Sequence, residues 1–470
     1  MANNESAEGK KLGVGGSLVY SSAQFGGNLL SMVFTSWILF FYTSPGKGGK
    51  VLVSMAIMGA ALTVGRVVDA FYDPTIGYWS DNTKTRWGRR RPFIIFGTPI
   101  YVLSFILLFN PLLPAGSAGL AIFTVFLISV FWLAFTTVMG PYNALMPEIA
   151  LTSDERVKIS TLLAVMMLLA TGYQGIAVPK LIEFYKAKYL AGLALPNLDH
   201  VSKSVIDEAT RYGYAPACII TGILAFVTIF ITAIFIKEKA HHAHEKYSVR
   251  EAFSWTFKNK PFVIYIIASV FQYLGFSSLT AGIPFIVTAL MKKPIGFVGT
   301  VYMYNIPSFV ISFVLINILA KKVGKVRLYK FCLLILALLL PLLFFVGNPH
   351  LPIDPATAGI GLMVLLGFPI SGNMILPTAI LADIIDYDEK LTGMRREAIY
   401  FGMQGLLQKM ANAMSQGMQA VLFGVFGYTA ARHLGINLLG PVAGFFGFIG
   451  YIVFLYFPLD EKTKDLKVKA

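Results

Sequence analysis

The sequence predicts an all-helical membrane protein whose twelve transmembrane helices form two six-helix bundles. Three observations lead there. Hydrophobic residues make up 56% of the 470 and charged residues only 13%, with a mean hydropathy of +0.68; a soluble chain carries about 25% charged residues. Apolar runs long enough for the roughly 20 residues of a membrane helix recur along the whole chain. Lipid offers backbone groups no outside partner, so each run is expected to close its hydrogen bonds within itself as a helix. The alternating segments of about 10 residues that build a membrane β-barrel are not seen.

Taken in order, the first run covers 15–43. It follows a polar start, "MANNESAEGKKL", without the apolar core of a secretory signal, so this helix is expected to stay in the membrane. The next five runs cover 51–80, 93–113, 118–147, 158–182 and 213–236. A polar stretch at 185–212 is expected outside, as a loop or short helix. The second set covers 261–290, 295–320, 327–347, 355–385, 396–425 and 434–458. Several exceed the minimum span, which permits tilt or extension beyond the bilayer. A polar segment divides the two sets, giving a first bundle at 1–240, a cytoplasmic middle loop at 241–260 and a second bundle at 261–470. The loops "SDNTKTRWGRRRPF" and "AKKVGKVRLYKF" follow the second helix of each set and are both basic, a faint internal repeat.

The formal net charge of +15 is read by position. Most of the 39 Lys and Arg fall on one side if both chain ends are cytoplasmic, because loops on that side collect Lys and Arg. This places the protein in a cell membrane, expected to be a bacterial inner membrane, and excludes nucleic acid as a partner. Cys218 and Cys332 lie in apolar runs and are expected to be inert buried thiols without a disulfide or metal framework. "HHAH" at 241–244 reads as a solvated loop. The six histidines lie mainly in loops, and no nucleophile–base pair or metal-ligand grouping appears in a span, so an enzyme is not expected.

Ionisable residues inside a membrane span cost several kcal/mol and mark ion or substrate paths. Four stand out: Arg66, Asp69, Asp73 and Lys409. Asp69 and Asp73 are spaced i, i+4 on one helix face, and two anions so close need a cation between them. A hard cation such as Na⁺, or a proton, suits the pair. The alternative is an Arg66–Asp69 salt bridge with Asp73 near an interface. Lys409 lies in "GMQGLLQKMANAMSQGMQ" beside Gln404, Gln408 and Asn412. It needs a counter-charge, and the second-helix carboxylates are the evident partners; the alternative is a lysine reaching to an interface. Asp81 with Arg86–Arg91, Arg89 among them, is expected to form an inner-surface network. Asp383, Asp386, Asp388, Arg395, Arg396 and Glu397 suggest a cytoplasmic gate.

The stretches "GRVVDAFYDPTIGYWSDNTKTRWGRRRPF", "PYNALMPEI" and "LADIIDYDE…RREAIYFG…QK" carry a resemblance. They are similar to the glycoside–pentoside–hexuronide cation symporters, the melibiose-carrier branch of the major facilitator superfamily. The resemblance spans essentially the whole chain. It implies a major facilitator fold working by alternating access, with the coupling cation, sodium or proton, at Asp69 and Asp73, a helix-four threonine at Thr136 assisting, and the helix-eleven lysine at Lys409. The sugar-gripping carboxylates of the melibiose carrier fall at Asn28 and Met139, and an expected helix-five arginine falls at Ala164. Met139, Phe135, Met166 and Met167 would then border an apolar cavity, and Met-rich surfaces adapt to flexible apolar ligands. The same pattern resembles the vertebrate sodium-dependent lysophosphatidylcholine symporters of this branch. The expectation is a monomeric sodium-coupled symporter of an amphiphile, foremost a lysophospholipid, with no cofactor beyond the coupling ion. A sodium- or proton-coupled sugar or glycoside symporter is the alternative, with Asn28, Gln174, Gln272, Asn305, Asn373 and Gln404 supplying hydrogen bonds.

Overall fold

A computed structural model describes residues 13–45, 50–149, 153–193, 202–236, 255–350, 352–393 and 396–459. Among the described residues it contains twelve long helical segments. The first six are α1 (Val14–Thr43), α2 (Met55–Asn82), α3 (Arg91–Leu108), α4 (Ala118–Ile149), α5 (Ser153–Gly172, continued by a π-helical turn Tyr173–Ala177 and the stretch Val178–Gly192) and α6 (Lys203–Phe235). The second six are α7 (Lys260–Phe285), α8 (Phe297–Val323), α9 (Lys325–Leu339), α10 (Pro355–Thr392), α11 (Glu397–Phe426) and α12 (Leu434–Leu455). Among the described residues, eleven spans are long and apolar enough to cross a membrane. The twelfth helix, α11, carries Lys409 and a row of glutamines, which lower its hydropathy. The middle loop lies mostly outside the described residues, as does "HHAH".

The stretch 185–212, expected as a loop or short helix, is instead largely the end of α5 and the start of α6. Their polar ends hold each other: Gly213 lies against the Ile182 carbonyl, and the rings of Tyr189 and Tyr212 stand 4.7 Å apart. Composition marked the segment as polar, but backbone satisfied within a helix is stable in water as well as in lipid. Local sequence fixes other helix ends. Asp354 caps α10 by accepting from the backbone N–H of Ala356 and Thr357 at 3.1 and 3.0 Å, the ordinary role of an N-cap carboxylate. Pro179 lacks the N–H that would bond the residue-175 carbonyl, and the helix widens into the π turn just before it. Cys218 and Cys332 are buried free thiols.

The two sets of six helices touch each other chiefly at one end. On α2, Gly59 lies against Ala420 of α11, where an added Cβ would come within 2.3 Å of the Ala420 Cβ. Thr63 donates across the same seam to the Ala413 carbonyl at 3.4 Å. On α5, Gly175 accepts the ring of Tyr302 from α8, 2.3 Å from where its own Cβ would be. Phe40 of α1 meets Phe285 of α7 edge-on at 5.0 Å, and Tyr428, after α11, donates to the Thr43 carbonyl at 3.2 Å. Successive helices alternate in direction, so the later parts of odd-numbered helices and the early parts of even-numbered ones lie on one side. All of these contacts belong to that side, where they draw the two halves together. A cavity of about 240 Å³ opens there, lined by Arg211, Lys186 and Asp207 with Phe40, Phe285 and Tyr428.

The approach of the halves there depends on hydrogen in place of a side chain at Gly59. Gly59→Leu is expected to force α2 from α11 and destabilise the protein by about 1–3 kcal/mol, read as a lower midpoint of thermal unfolding in detergent. Gly361→Leu, where nothing lies within 4 Å, is expected to leave the midpoint unchanged.

Candidate functional site

Four ionisable side chains meet part-way along α2, α4 and α11. The i, i+4 spacing sends both α2 carboxylates off one helix face, toward α4 and α11. Lys409 arrives from the second half of the chain. Its Nζ donates to Asp73 Oδ2 at 2.6 Å and stands 3.0 Å from Asp69 Oδ2, an ion-pair contact outside hydrogen-bond geometry. Thr136 of α4 completes the cluster. Its hydroxyl reaches Asp69 Oδ1 and, at 3.1 Å, Asp73 Oδ1, and accepts from Lys409 Nζ at 3.3 Å. One hydroxyl proton serves one carboxylate at a time. One turn before Asp69, Arg66 holds its Nη1 3.9 Å from Asp69 Oδ2 and its guanidinium 3.3 Å from the centre of the Trp132 ring.

Burial grades across the cluster. Asp69 is 0% exposed and Thr136 3%, whereas the Asp73 side chain is 38% exposed. An ion would therefore meet Asp73 first and Asp69 last. Two cationic and two anionic side chains sum to no net charge, which offsets the cost of burying Arg66 and Asp69. The four carboxylate oxygens and one hydroxyl are hard donors, suited to a hard cation. Lys409 already occupies their bite, so an entering cation must displace its ammonium.

The other residues singled out by sequence are spread around this cluster. Asn28 is half-buried and donates to the Gln24 carbonyl at 2.8 Å. Met139 is only 4% exposed and fills the space left by Gly27, with its Sδ 2.2 Å from where a Cβ there would lie; it packs α4 onto α1. Phe135 leans on Tyr101 and Trp132. Gln404 donates to the Tyr265 hydroxyl at 2.9 Å, which turns it toward α7. Gln272 accepts from Tyr329 at 2.9 Å, and with Asn373 it borders a small cavity of about 30 Å³.

The charged clusters at the other end fasten elements within each half. Asp81 pairs with Arg90 at 2.9 Å, so the partner within the arginine run is Arg90; Arg89 is half-buried beside it. Arg91 donates to the carbonyls of Ala233 and Ile234 at the end of α6, at 2.9 and 2.7 Å. In the second half, Lys325 pairs with Asp383 at 2.7 Å. Arg396 grips Asp388 through Nε and Nη2 at 3.0 and 2.9 Å, while Asp386 is exposed. Each of these pairs joins residues of one half. Arg395 lies outside the described residues.

Trp132 is the residue that sequence reading passed over. It precedes Thr136 by four and so shares its face of α4, a signal present in the sequence but masked by the many other aromatics. Arg90, as the partner of Asp81, was one of several equivalent arginines.

A family model described as MFS/sugar transport protein matches residues 19–458. The chain belongs to this family. Its members and structural neighbours are transporters rather than enzymes, and the chain is an integral membrane secondary transporter of the major facilitator fold. It is 24% identical to the isoprimeverose transporter of Lactiplantibacillus pentosus, over 94% of this chain and 88% of that one. It is also 24% identical to the sodium-dependent lysophosphatidylcholine symporter 1 of Gallus gallus, over 87% and 80%. Among solved structures it resembles the xylose transporter XylE of E. coli in a partially occluded inward-open conformation, with a TM-score of 0.61 and 14% identity over 95% of this chain and 98% of that one.

Removing the Thr136 hydroxyl deprives two carboxylates of a neutral donor and the cluster of an oxygen. A hydrogen bond to a charged group contributes about 1.5–3 kcal/mol. If the cluster holds a cation, Thr136→Ala is expected to weaken its binding by about tenfold or more and Thr136→Ser to retain it, measured as the cation concentration giving half-maximal uptake.

Proposed function

We propose that the protein is a cation-coupled symporter of a sugar or glycoside, with Asp69, Asp73 and Thr136 holding the coupling cation, foremost sodium. The observation that carries this reading is the position of Lys409 Nζ between the carboxylates of Asp69 and Asp73, at 3.0 and 2.6 Å. The lysine comes from one half and the carboxylates from the other. Whatever displaces the ammonium alters the contact between the halves, and alternating access requires such a change. A ligand shifts a conformational equilibrium only through differential affinity, and competition with Lys409 supplies it. With both chain ends cytoplasmic, the end where the halves meet is the outer one and the cation site communicates with the inner side. The freed lysine is then available to the solute.

Two observations favour a polyhydroxylated solute. Relatives similar over most of the chain include proteins named as an isoprimeverose transporter and a lactose permease. Buried amide atoms without a hydrogen-bond partner, among them Gln24 Oε1, Gln174 Nε2, Asn373 Oδ1 and Gln416 Oε1, leave unmet hydrogen-bonding capacity in the interior, and buried polar groups are costly unless paired. An amphiphile such as a lysophospholipid is the second reading. It is favoured by the absence of carboxylates at Asn28 and Met139, where the melibiose carrier grips its sugar, and by the likeness to the lysophosphatidylcholine symporter.

Uptake into proteoliposomes separates them. A panel of labelled pentosides, hexosides and lysophosphatidylcholine is offered with and without an inward sodium or proton gradient. Gradient-dependent accumulation of a sugar or glycoside is expected; accumulation of the lysolipid alone would select the second reading. In the same assay Asp73→Asn is expected to abolish concentrative uptake while leaving expression and membrane insertion intact. Normal accumulation by that variant would remove Asp73 from the site.

A further inference from the structure

Arg66 poses a problem that the cation site alone does not solve. A guanidinium one turn from Asp69 has the reach to form a two-point ion pair, the strongest geometry available to it. Such a pair would use the Asp69 oxygens that a cation needs. The closest approach is instead 3.9 Å, beyond hydrogen bonding, and Arg66 Nε has no hydrogen-bond partner. The guanidinium lies over the indole of Trp132, 3.3 Å from the ring centre.

The indole is mounted to receive it. Phe34, Phe131 and Phe135 meet Trp132 nearly edge-on, at 5.2, 5.0 and 5.5 Å with interplanar angles of 86°, 77° and 83°. Trp132 is 1% exposed, so its plane is set by packing. Its Nε1 has no hydrogen-bond partner, so the ring face is the part in use. Gly65 brings α2 close: a Cβ there would stand 2.6 Å from Ile128 Cγ2 and 3.2 Å from Trp132 Cδ1.

We propose that Trp132 is a positioning residue for the cation site, holding the Arg66 guanidinium on its ring so that Asp69 keeps an oxygen for the coupling ion. The idea rests on the reading of Asp69 as a cation ligand. Of the two Asp69 oxygens, Oδ1 is taken by Thr136, while Oδ2 accepts no hydrogen bond and lies 3.0 Å from the Lys409 ammonium, the group an entering cation would displace. Arg66 thus lends Asp69 its positive charge at a distance without occupying a lone pair. Stacking of a desolvated guanidinium on indole favours this arrangement by an order of magnitude or more in an equilibrium constant. Without the ring, the guanidinium swings onto Asp69 and competes with the cation. Trp132 touches neither cation nor solute in this scheme.

The test is equilibrium binding of radioactive sodium to the purified full-length protein in detergent, without solute, at pH 8. Trp132→Leu is expected to weaken sodium binding at least tenfold, and Trp132→Phe, which keeps a ring face and most of the volume, about threefold. In an Arg66→Gln background the same Trp132→Leu change is expected to alter affinity less than twofold, because no guanidinium remains to be released. A loss of equal size in both backgrounds means that Trp132 acts only by packing, and overturns the proposal. Wild-type affinity in Trp132→Leu, in a protein whose Asp69→Asn variant has lost sodium binding, overturns the positioning role alone. A wild-type protein that binds no sodium, or an Asp69→Asn variant that binds it as the wild type does, overturns the reading of the site and the proposal with it.

Discussion

The organising constraint of this protein is charge neutrality among four groups clustered part-way along its helices, from fully buried Asp69 to partly exposed Asp73. Arg66, Asp69, Asp73 and Lys409 balance only when α2 and α11 face each other, and these helices belong to different halves of the chain. Two unit charges about 4 Å apart attract by about 4 kcal/mol at an effective dielectric of 20, while each unpaired member would cost several kcal/mol to bury. The carboxylates therefore always need a positive partner. Lys409 provides it in this structure, and in the proposed cycle a mobile cation takes its place.

The rest of the fold serves that choice. Small residues let α2 and α5 approach their opposite numbers on α11 and α8 at one end, with backbone and ring contacts closing the seam. Aromatic contacts from α1, α7 and the turn after α11 reinforce it. At the other end, ion pairs such as Asp81–Arg90 and Asp388–Arg396 join elements of the same half. The grade of exposure from Asp73 to Asp69 gives the site an entrance and a depth. The Trp132 mount keeps one of the two resident cations from settling the contest in advance.

Much of this was legible in the sequence because the membrane simplifies the reading. Apolar runs without partners in lipid become helices, and ionisable residues within them are few enough to name. The i, i+4 aspartates and the isolated Lys409 therefore identified the cluster that the structure assembles. What escaped reading were features set by packing. The ends of α5 and α6 are polar and look like loop, since helical hydrogen bonding leaves no mark on composition. Met139 looked like the wall of a cavity, but the adjacent Gly27 leaves a space that its side chain fills. Asp388, rather than Asp386, takes Arg396, a choice made by helix phase among several neighbouring carboxylates. Trp132 was one aromatic in a helix full of them until Arg66 was placed against it.

The central claim is that Lys409 and the coupling cation compete for the same carboxylates, and one measurement addresses it directly. Lys409→Ala removes the resident ammonium without touching an oxygen ligand. Sodium binding to this variant, measured at equilibrium on the purified protein at alkaline pH, is predicted to be at least tenfold tighter than in the wild type. Affinity that is unchanged, or weaker, would mean that the lysine assists the cation or ignores it, and would contradict the account.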